Sequence, residues 1–274
     1  GKYNLRIRKT LEAIYKHYDG DRTSDDFKAL EVYLKRVWFS SGIYHHYGCE
    51  KFKPGFSEHF FYEAVSLMPE TELPLRRGET KEDLLDELVP VIFDEEVLPK
   101  RVNQTDGVDL VATSACNFYE GVNQDEVERF YARLKDGEDL TPPSYGLNSK
   151  LMKRNGEIVE KTWKEEGMYG SAIKEIISWL LKAQKYTENE QQAHVIDLLI
   201  KYYRTGDLSD FDRYSIAWVK QQEGMVDFIN GFIEVYGDPL GLKGTWEGLV
   251  EFKDMEATRR TQAISQNAQW FEDH

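Results

Sequence analysis

The stretch Gly231-Phe-Ile-Glu-Val-Tyr-Gly-Asp-Pro-Leu-Gly241, running on into Leu-Lys-Gly-Thr-Trp-Glu-Gly248, decides how the chain reads. Acid, aromatic, glycine and proline residues crowd together here, and neither a helix nor a strand accounts for all of them. As one helix over 225–236, Asp227, Asn230 and Glu234 share a polar face, with Phe228, Ile229, Phe232 and Tyr236 on the apolar side. Glu234 then sits in a last turn, against the negative end of the helix dipole. If Gly231 instead ends a helix over 225–230, residues 232–236 are extended. Phe232, Glu234 and Tyr236 then lie on one face, while the β-branched Ile233 and Val235 pack inward. The extended form is the expectation. It sets a carboxylate beside a phenol, a receptor suited to an ammonium group; in the competing reading Glu234 merely pairs with a neighbouring Lys or Arg. Asp238-Pro239 starts a turn, and Gly241 and Gly244 let the backbone bend.

Upstream, Asn155-Gly156 between residues 147–152 and 158–163 is the strongest hairpin signal in the chain. The rest reads as mostly helical. A first helix runs to about Tyr18, and a second follows the cap at Thr23-Ser24 with Phe27, Leu30, Leu34, Val37 and Trp38 on one stripe. Ser57 caps a short helix, and Thr80 starts another that Pro90 interrupts. Residues 108–115 are the best strand candidate of the first half, and Asn123 caps the helix after it. Beyond a turn-rich link over 136–144 and the hairpin, helices are expected from Ser171, from Asn189, over 211–222, over 225–230 and, broken in places, over 247–271. The fold class is α+β, predominantly α-helical with a small β-sheet or hairpin portion. The chain reads as one truncated lobe, 1–274. Helices and a short strand fill residues 1–140, and the hairpin, further helices and the organising segment fill residues 141–274.

Composition removes several functions. The 274 residues carry a formal net charge of −14 with no basic block, which excludes binding nucleic acid by neutralising phosphates. An acidic surface mainly keeps a chain soluble, and it mildly attracts cationic ligands such as peptides with free amino ends. Cys49 and Cys116 are too few for a disulfide framework. No apolar run reaches the roughly 18 residues that would span a membrane. The opening Gly-Lys-Tyr-Asn-Leu-Arg-Ile-Arg is neither a signal peptide nor a natural start. Helical spacing begins at once, as in a chain trimmed from something longer, and a cytoplasmic setting is favoured. His45-His46 invites a metal, but no carboxylate or third histidine follows at ligand spacing, so the pair reads as lining or packing.

The segment 231–248 resembles the Gly-Phe-Ile-Glu-x-Tyr-x-Asp-Pro-x-Gly…Glu-Gly segment of the dipeptidyl peptidase III family, above all its Bacteroides-type members. The loop from Tyr44 to Pro54 with Lys51-Phe-Lys-Pro54, Tyr145-Gly-Leu-Asn-Ser-Lys-Leu151, and Asn267-Ala-Gln-Trp-Phe-Glu-Asp-His274 resemble that family too. The resemblance implies a zinc exopeptidase that removes dipeptides from the amino end of short peptides in a cleft between two lobes. It implies that Glu234 and Tyr236 hold the substrate's α-amino group, and that Tyr47 and Gly48 lie in a loop lining the cleft. The family's His-Glu-x-x-Gly-His motif, or its His-Glu-x-x-x-His relative, is not in this sequence: no His is followed by Glu, and Glu95-Glu96 and Glu165-Glu166 sit in other contexts.

The expectation is therefore an amino-proximal, substrate-binding lobe. It has no catalytic residue or metal ligand of its own, and zinc belongs to the parent enzyme rather than to this stretch. Its partners are a short peptide and the catalytic lobe of the same chain, with no nucleic acid and no membrane. Alone it is expected to be inactive. The alternative is a helical protein-interaction module with an acidic binding face. A small-molecule hydrolase lacks support, since no nucleophile elbow and no paired acid and base stand at readable spacing.

Overall fold

The computed structural model describes residues 3–135 and 137–274; Gly1, Lys2 and Asp136, the first residue of the expected 136–144 link, lie outside the described residues. The chain forms two compact units. One holds Gly1–Leu134, Lys150–Val159 and Tyr236–Gly241; the other holds Lys135–Ser149, Glu160–Val235 and Leu242–His274.

The first unit is built on α1 (Asn4–His17), α2 (Asp25–Phe39), α3 (Glu58–Leu67), α4 (Lys81–Phe93) and α5 (Gln124–Ala132). Side-chain caps fix where four of them start. Ser24 and Ser57 accept the amides of Phe27 and Phe60, and Thr80 and Asn123 form reciprocal boxes with Asp83 and Glu126. Ile7, Leu11 and Ile14 of α1 join Leu30, Leu34, Phe61, Leu84 and Leu88 in one core. Trp38, expected on the buried stripe of α2, is 43% exposed, and its indole N–H donates to Glu12 at 2.8 Å.

Two expectations fail in this unit. Pro90 does not interrupt α4, which continues to Phe93. The carbonyl that loses its partner belongs to Asp86, an exposed residue whose backbone water can serve. Residues 108–115 form turns instead of a strand, because Asp109 takes over the local backbone. Its carboxylate accepts the amides of Ala112 and Gln124, and its carbonyl accepts that of Thr113. Only Ser114 makes a bridge, to Lys100. The strand of this region lies further on, where β1 (Tyr119–Glu120) runs parallel to Leu151 and Met152.

The Asn155-Gly156 hairpin is present as β2 (Ser149–Arg154) and β3 (Glu157–Thr162), in a sheet ordered β1-β2-β3. Both turn residues have positive φ, 52° and 86°, as a type I′ turn requires. The second unit continues with α6 (Gly170–Ala183), α7 (Glu190–Thr205) and α8 (Leu208–Lys220). Asn189 caps α7, and Gly206 ends it in the left-handed region. Ile173, Ile177, Val195, Leu199, Tyr202 and Tyr203 are buried.

The expected helices over 225–230 and 247–271 are corrected here. β4 (Val226–Glu234) and β5 (Thr245–Phe252) pair antiparallel, and helix returns only with α9 (Met255–Gln266) and α10 (Ala268–Asp273). Aromatic and β-branched residues at Val226, Phe228, Ile229, Phe232, Trp246 and Val250 suit a pleated surface once a partner strand is present. The fold is α+β and predominantly helical. Among the described residues no helix is long and apolar enough to cross a membrane.

Candidate functional site

The loop that carries Tyr47 and Gly48 is closed on itself. Tyr44 bridges Lys51, His45 N–H donates to Glu50 at 2.8 Å, and Cys49 N–H donates to the His45 carbonyl at 3.1 Å. Gly48 N–H donates to Nδ1 of His45 at 3.0 Å, which occupies that nitrogen as an acceptor. A second segment staples the loop: Arg101 N–H donates to the Cys49 carbonyl at 2.8 Å, and its guanidinium donates to the His46 carbonyl at 3.1 Å. At the loop's end, Lys51 Nζ donates to the carbonyls of Val91, Asp94 and Val97, at 2.9, 2.5 and 2.7 Å. These lie at or just past the C-terminus of α4, where the helix dipole welcomes a cation. Burial draws the Lys51 pKa below that of a free lysine.

Tyr236 reaches the same unit through a buried acid. Asp238 is 1% exposed and accepts the Tyr119 hydroxyl at 2.8 Å. Asp238-Pro-Leu-Gly241 is a tight turn, closed by Gly241 N–H to the Asp238 carbonyl at 3.0 Å. Burial first, and the Asp238 charge second, hold the Tyr119 phenol well above its ordinary pKa. Burial pushes the Cys116 thiol up to about 11. Tyr236 itself stays exposed, and with Tyr47 and Gly48 it lines a cavity of about 820 Å³. Three of the four expected binding residues thus meet in one place. Lys100, Arg101, Gln104 and Thr105 line it as well, and among the described residues no carboxylate does. Sequence reasoning missed these four. They follow no pattern of their own and arrive through the backbone bridge between Glu50 and Lys100.

Glu234 belongs to the other unit, whose boundary falls between Val235 and Tyr236. It ends β4 in extended backbone, as expected, but the pairing shifts there. Phe232 faces Trp246 and Glu234 faces Thr245, so Ile233 is an extra residue. Neighbouring residues of β5 point to opposite faces, so Phe232 and Glu234 do too. For Phe232 and Glu234 that corrects the expectation of a shared face. Phe232 is buried against Trp163 and Tyr203, whereas Glu234 is exposed. No Lys or Arg among the described residues forms an ion pair with its carboxylate.

What holds this end of β4 is backbone proximity. A Cβ on Gly244 would stand 2.9 Å from the Phe232 carbonyl carbon and 3.0 Å from the Ile233 nitrogen. Gly244 N–H donates to the Leu147 carbonyl at 2.7 Å. The fully buried Lys243 donates to the Gly146 carbonyl and to Ser149 Oγ, both at 3.2 Å. The stretch 145–149 therefore seats 243–244, joining two segments singled out independently in the sequence.

Chemically, an exposed carboxylate without a cation suits an ammonium group, and a cavity of phenols and cations suits carbonyl oxygens. Among the described residues no three His, Cys, Asp or Glu side chains gather as a metal-ligand set. The residues here do not fit a catalytic zinc.

Residues 145–272 match the family model described as Peptidase family M49. The chain is 24% identical over 253 residues to dipeptidyl peptidase 3 of Mus musculus, covering 83% of this chain and 34% of that protein. It is 29% identical over 105 residues to dipeptidyl peptidase 3 of Dictyostelium discoideum, covering 38% and 15%. The solved structure of DPP III from Caldithrix abyssi covers all of this chain with 39% of its own length, at a TM-score of 0.59 and 16% identity, a likeness of fold. The chain spans about a third or less of the length of the curated relatives it matches.

Proposed function

We propose that the chain belongs to peptidase family M49 as a partial dipeptidyl peptidase III-like chain, and that it is the substrate-binding lobe, 1–274, of a dipeptidyl peptidase. In this reading Glu234 and Tyr236 receive the α-ammonium of a short peptide, charge against charge with a phenol oxygen as further acceptor. Tyr47 and Gly48 line the path of the following residues, where Arg101 and Lys100 offer donors to peptide carbonyls. Fixing the amino end sets the register, so the second peptide bond is the one presented for cleavage. The exposed, unpaired Glu234 carboxylate carries this reading, because a Lys or Arg in contact with it would leave nothing for an ammonium.

The cutting belongs to residues outside this sequence. Zinc in such an enzyme supplies a polarised carbonyl and an activated water. In this reading that chemistry is not carried by this chain, in which no His is directly followed by Glu. Two assays test the proposal together. The 274-residue chain is expected to release no dipeptide and to bind no stoichiometric zinc, while the polypeptide extended to the length of its relatives releases dipeptides from free-amino peptides. One tightly bound zinc in the 274-residue chain, or dipeptide release by it, overturns the reading.

A further inference from the structure

The cavity beside Tyr47 and Tyr236 carries cations that no acid of the chain pairs with. The sequence holds 49 acidic and 35 basic side chains, so partners are in excess. Lys53, close by in sequence, takes Glu95 at 2.6 Å. Lys100 and Arg101 take none: among the described residues neither forms an ion pair with a carboxylate. Glu50, whose backbone bridges Lys100, turns its carboxylate to Nδ1 of His45, 3.8 Å away. Both cations stand on fixed backbone. Lys100 also bridges Ser114, and its carbonyl accepts Ala115 N–H at 3.1 Å; Arg101 N–H donates to the Cys49 carbonyl at 2.8 Å. The guanidinium is fixed too. Its Nη2 donates to the His46 carbonyl at 3.1 Å and its Nε is buried, while Nη1 bonds to nothing among the described residues. The Lys100 ammonium likewise makes no bond among them. These residues and Tyr236 all belong to the first unit.

Two unpaired cations on one cavity exceed what a neutral ligand needs. Hydroxyls and amides, such as those of Thr105 and Gln104, suffice for peptide carbonyls. A guanidinium held in place, with an ammonium on the same cavity, matches the charge and the two oxygens of a carboxylate. We propose that Lys100 and Arg101 bind a carboxylate of the bound peptide, from an acidic side chain or from its carboxyl end, and so make the lobe select peptides by where they carry that charge. This rests on the reading of the chain as a peptide-binding lobe. In that reading Tyr236 helps to hold the amino end, and Tyr236 lines the same cavity as the cations. The carboxylate therefore lies within a few residues of the amino end, each residue spanning at most about 3.6 Å.

Steady-state dipeptide release by the polypeptide extended to its relatives' length tests it. The probes are an alanine tetrapeptide as free acid and as carboxyl amide, and the amide with Glu or Gln at its first, second or third position. The readout is the ratio of kcat/KM, charged over neutral, within each protein, so that a general loss of activity cancels. Wild type is expected to favour one carboxylate form by about tenfold, through KM, and the form it favours names the source of the charge. Added salt is expected to shrink the ratio. Lys100→Gln with Arg101→Gln is expected to bring it to about one. Because Arg101 also staples the loop, Lys100→Glu is the second variant. The Lys100 side chain bonds to nothing among the described residues, and reversing its charge is expected to drive the ratio below one, which a loosened loop would not do. Equal kcat/KM for charged and neutral forms in wild type, or a ratio that Lys100→Glu leaves unchanged, overturns the proposal. If no peptide is cleaved the peptidase reading fails, and calorimetric affinities of the same peptides then decide the carboxylate by the same ratio and the same limits.

Discussion

Tyr119→Phe is the sharpest test of how Tyr236 is held. The substitution keeps the ring and removes one hydroxyl, whose hydrogen bond to the 1%-exposed Asp238 spans 2.8 Å. A bond to an ionised, buried acceptor contributes about 1.5–3 kcal/mol, and Asp238 loses one of its donors outright. The expected loss is about 2 kcal/mol of unfolding free energy for the first unit. For a unit of this size that is a fall in Tm of about 4–8 °C, since each kcal/mol shifts it about 2–4 °C. The assay is urea and thermal denaturation followed by far-ultraviolet circular dichroism, on wild type, Tyr119→Phe, Asp238→Asn and the double variant. Residues in contact couple, so the cycle is expected to be non-additive by about 1–2 kcal/mol. Tyr236 sits two residues from Asp238, so Tyr119→Phe is also expected to weaken peptide binding without touching the peptide. A change below about 0.5 kcal/mol together with an additive cycle would refute the claim that this bond docks the turn.

Three further outcomes are expected. Gly244→Ala drives a methyl into the backbone of Phe232 and Ile233, and should cost about 1–3 kcal/mol in a denaturant melt. Gly241→Ala, where φ is +64° and nothing lies within 4 Å, should cost only the left-handed strain of about 1–2 kcal/mol. Burial raises the pKa of Tyr33, Tyr44, Tyr119, Tyr202, Tyr203 and Tyr214, so each phenol stays neutral in the folded chain above pH 10 while it ionises in the unfolded one. Their contribution is fully present below about pH 10 and is lost as pH rises toward the folded values. Denaturant midpoints at pH 9 and 11 should fall accordingly, and titration of every tyrosine near pH 10 without unfolding would contradict this.

The helical frame was legible because its signals are local. Ser24, Ser57, Thr80, Asn123 and Asn189 each cap the helix their sequence position announces, and Asn155-Gly156 turns the hairpin it announces. The β4–β5 sheet was not legible. Its strands are joined by residues 235–244 rather than a two-residue turn, and Val-Asp-Phe-Ile-Asn fits a helix as well as a strand until its partner is known. At 108–115 the pattern favoured a strand, and one carboxylate, Asp109, decided otherwise. Of the candidate site, Glu234 and Tyr236 were proposed from the family-like segment 231–248, and Tyr47 and Gly48 from the family-like loop 44–54. The cations at 100–101 were not, since only the fold brings them to Tyr47. The bulge at Ile233 was equally hidden, because one extra residue in a pairing leaves no trace in composition.

The central claim is that Glu234 and Tyr236 recognise a free amino end. The most direct measurement is calorimetric binding of one short peptide, with its amino end free or acetylated, to wild type and to Glu234→Gln. The account predicts that wild type prefers the free amine by about tenfold or more, worth about 1.4 kcal/mol, and that Glu234→Gln abolishes the preference while the acetylated peptide binds both proteins alike. Equal affinity of wild type for the two peptides, or a preference that survives Glu234→Gln, would contradict it.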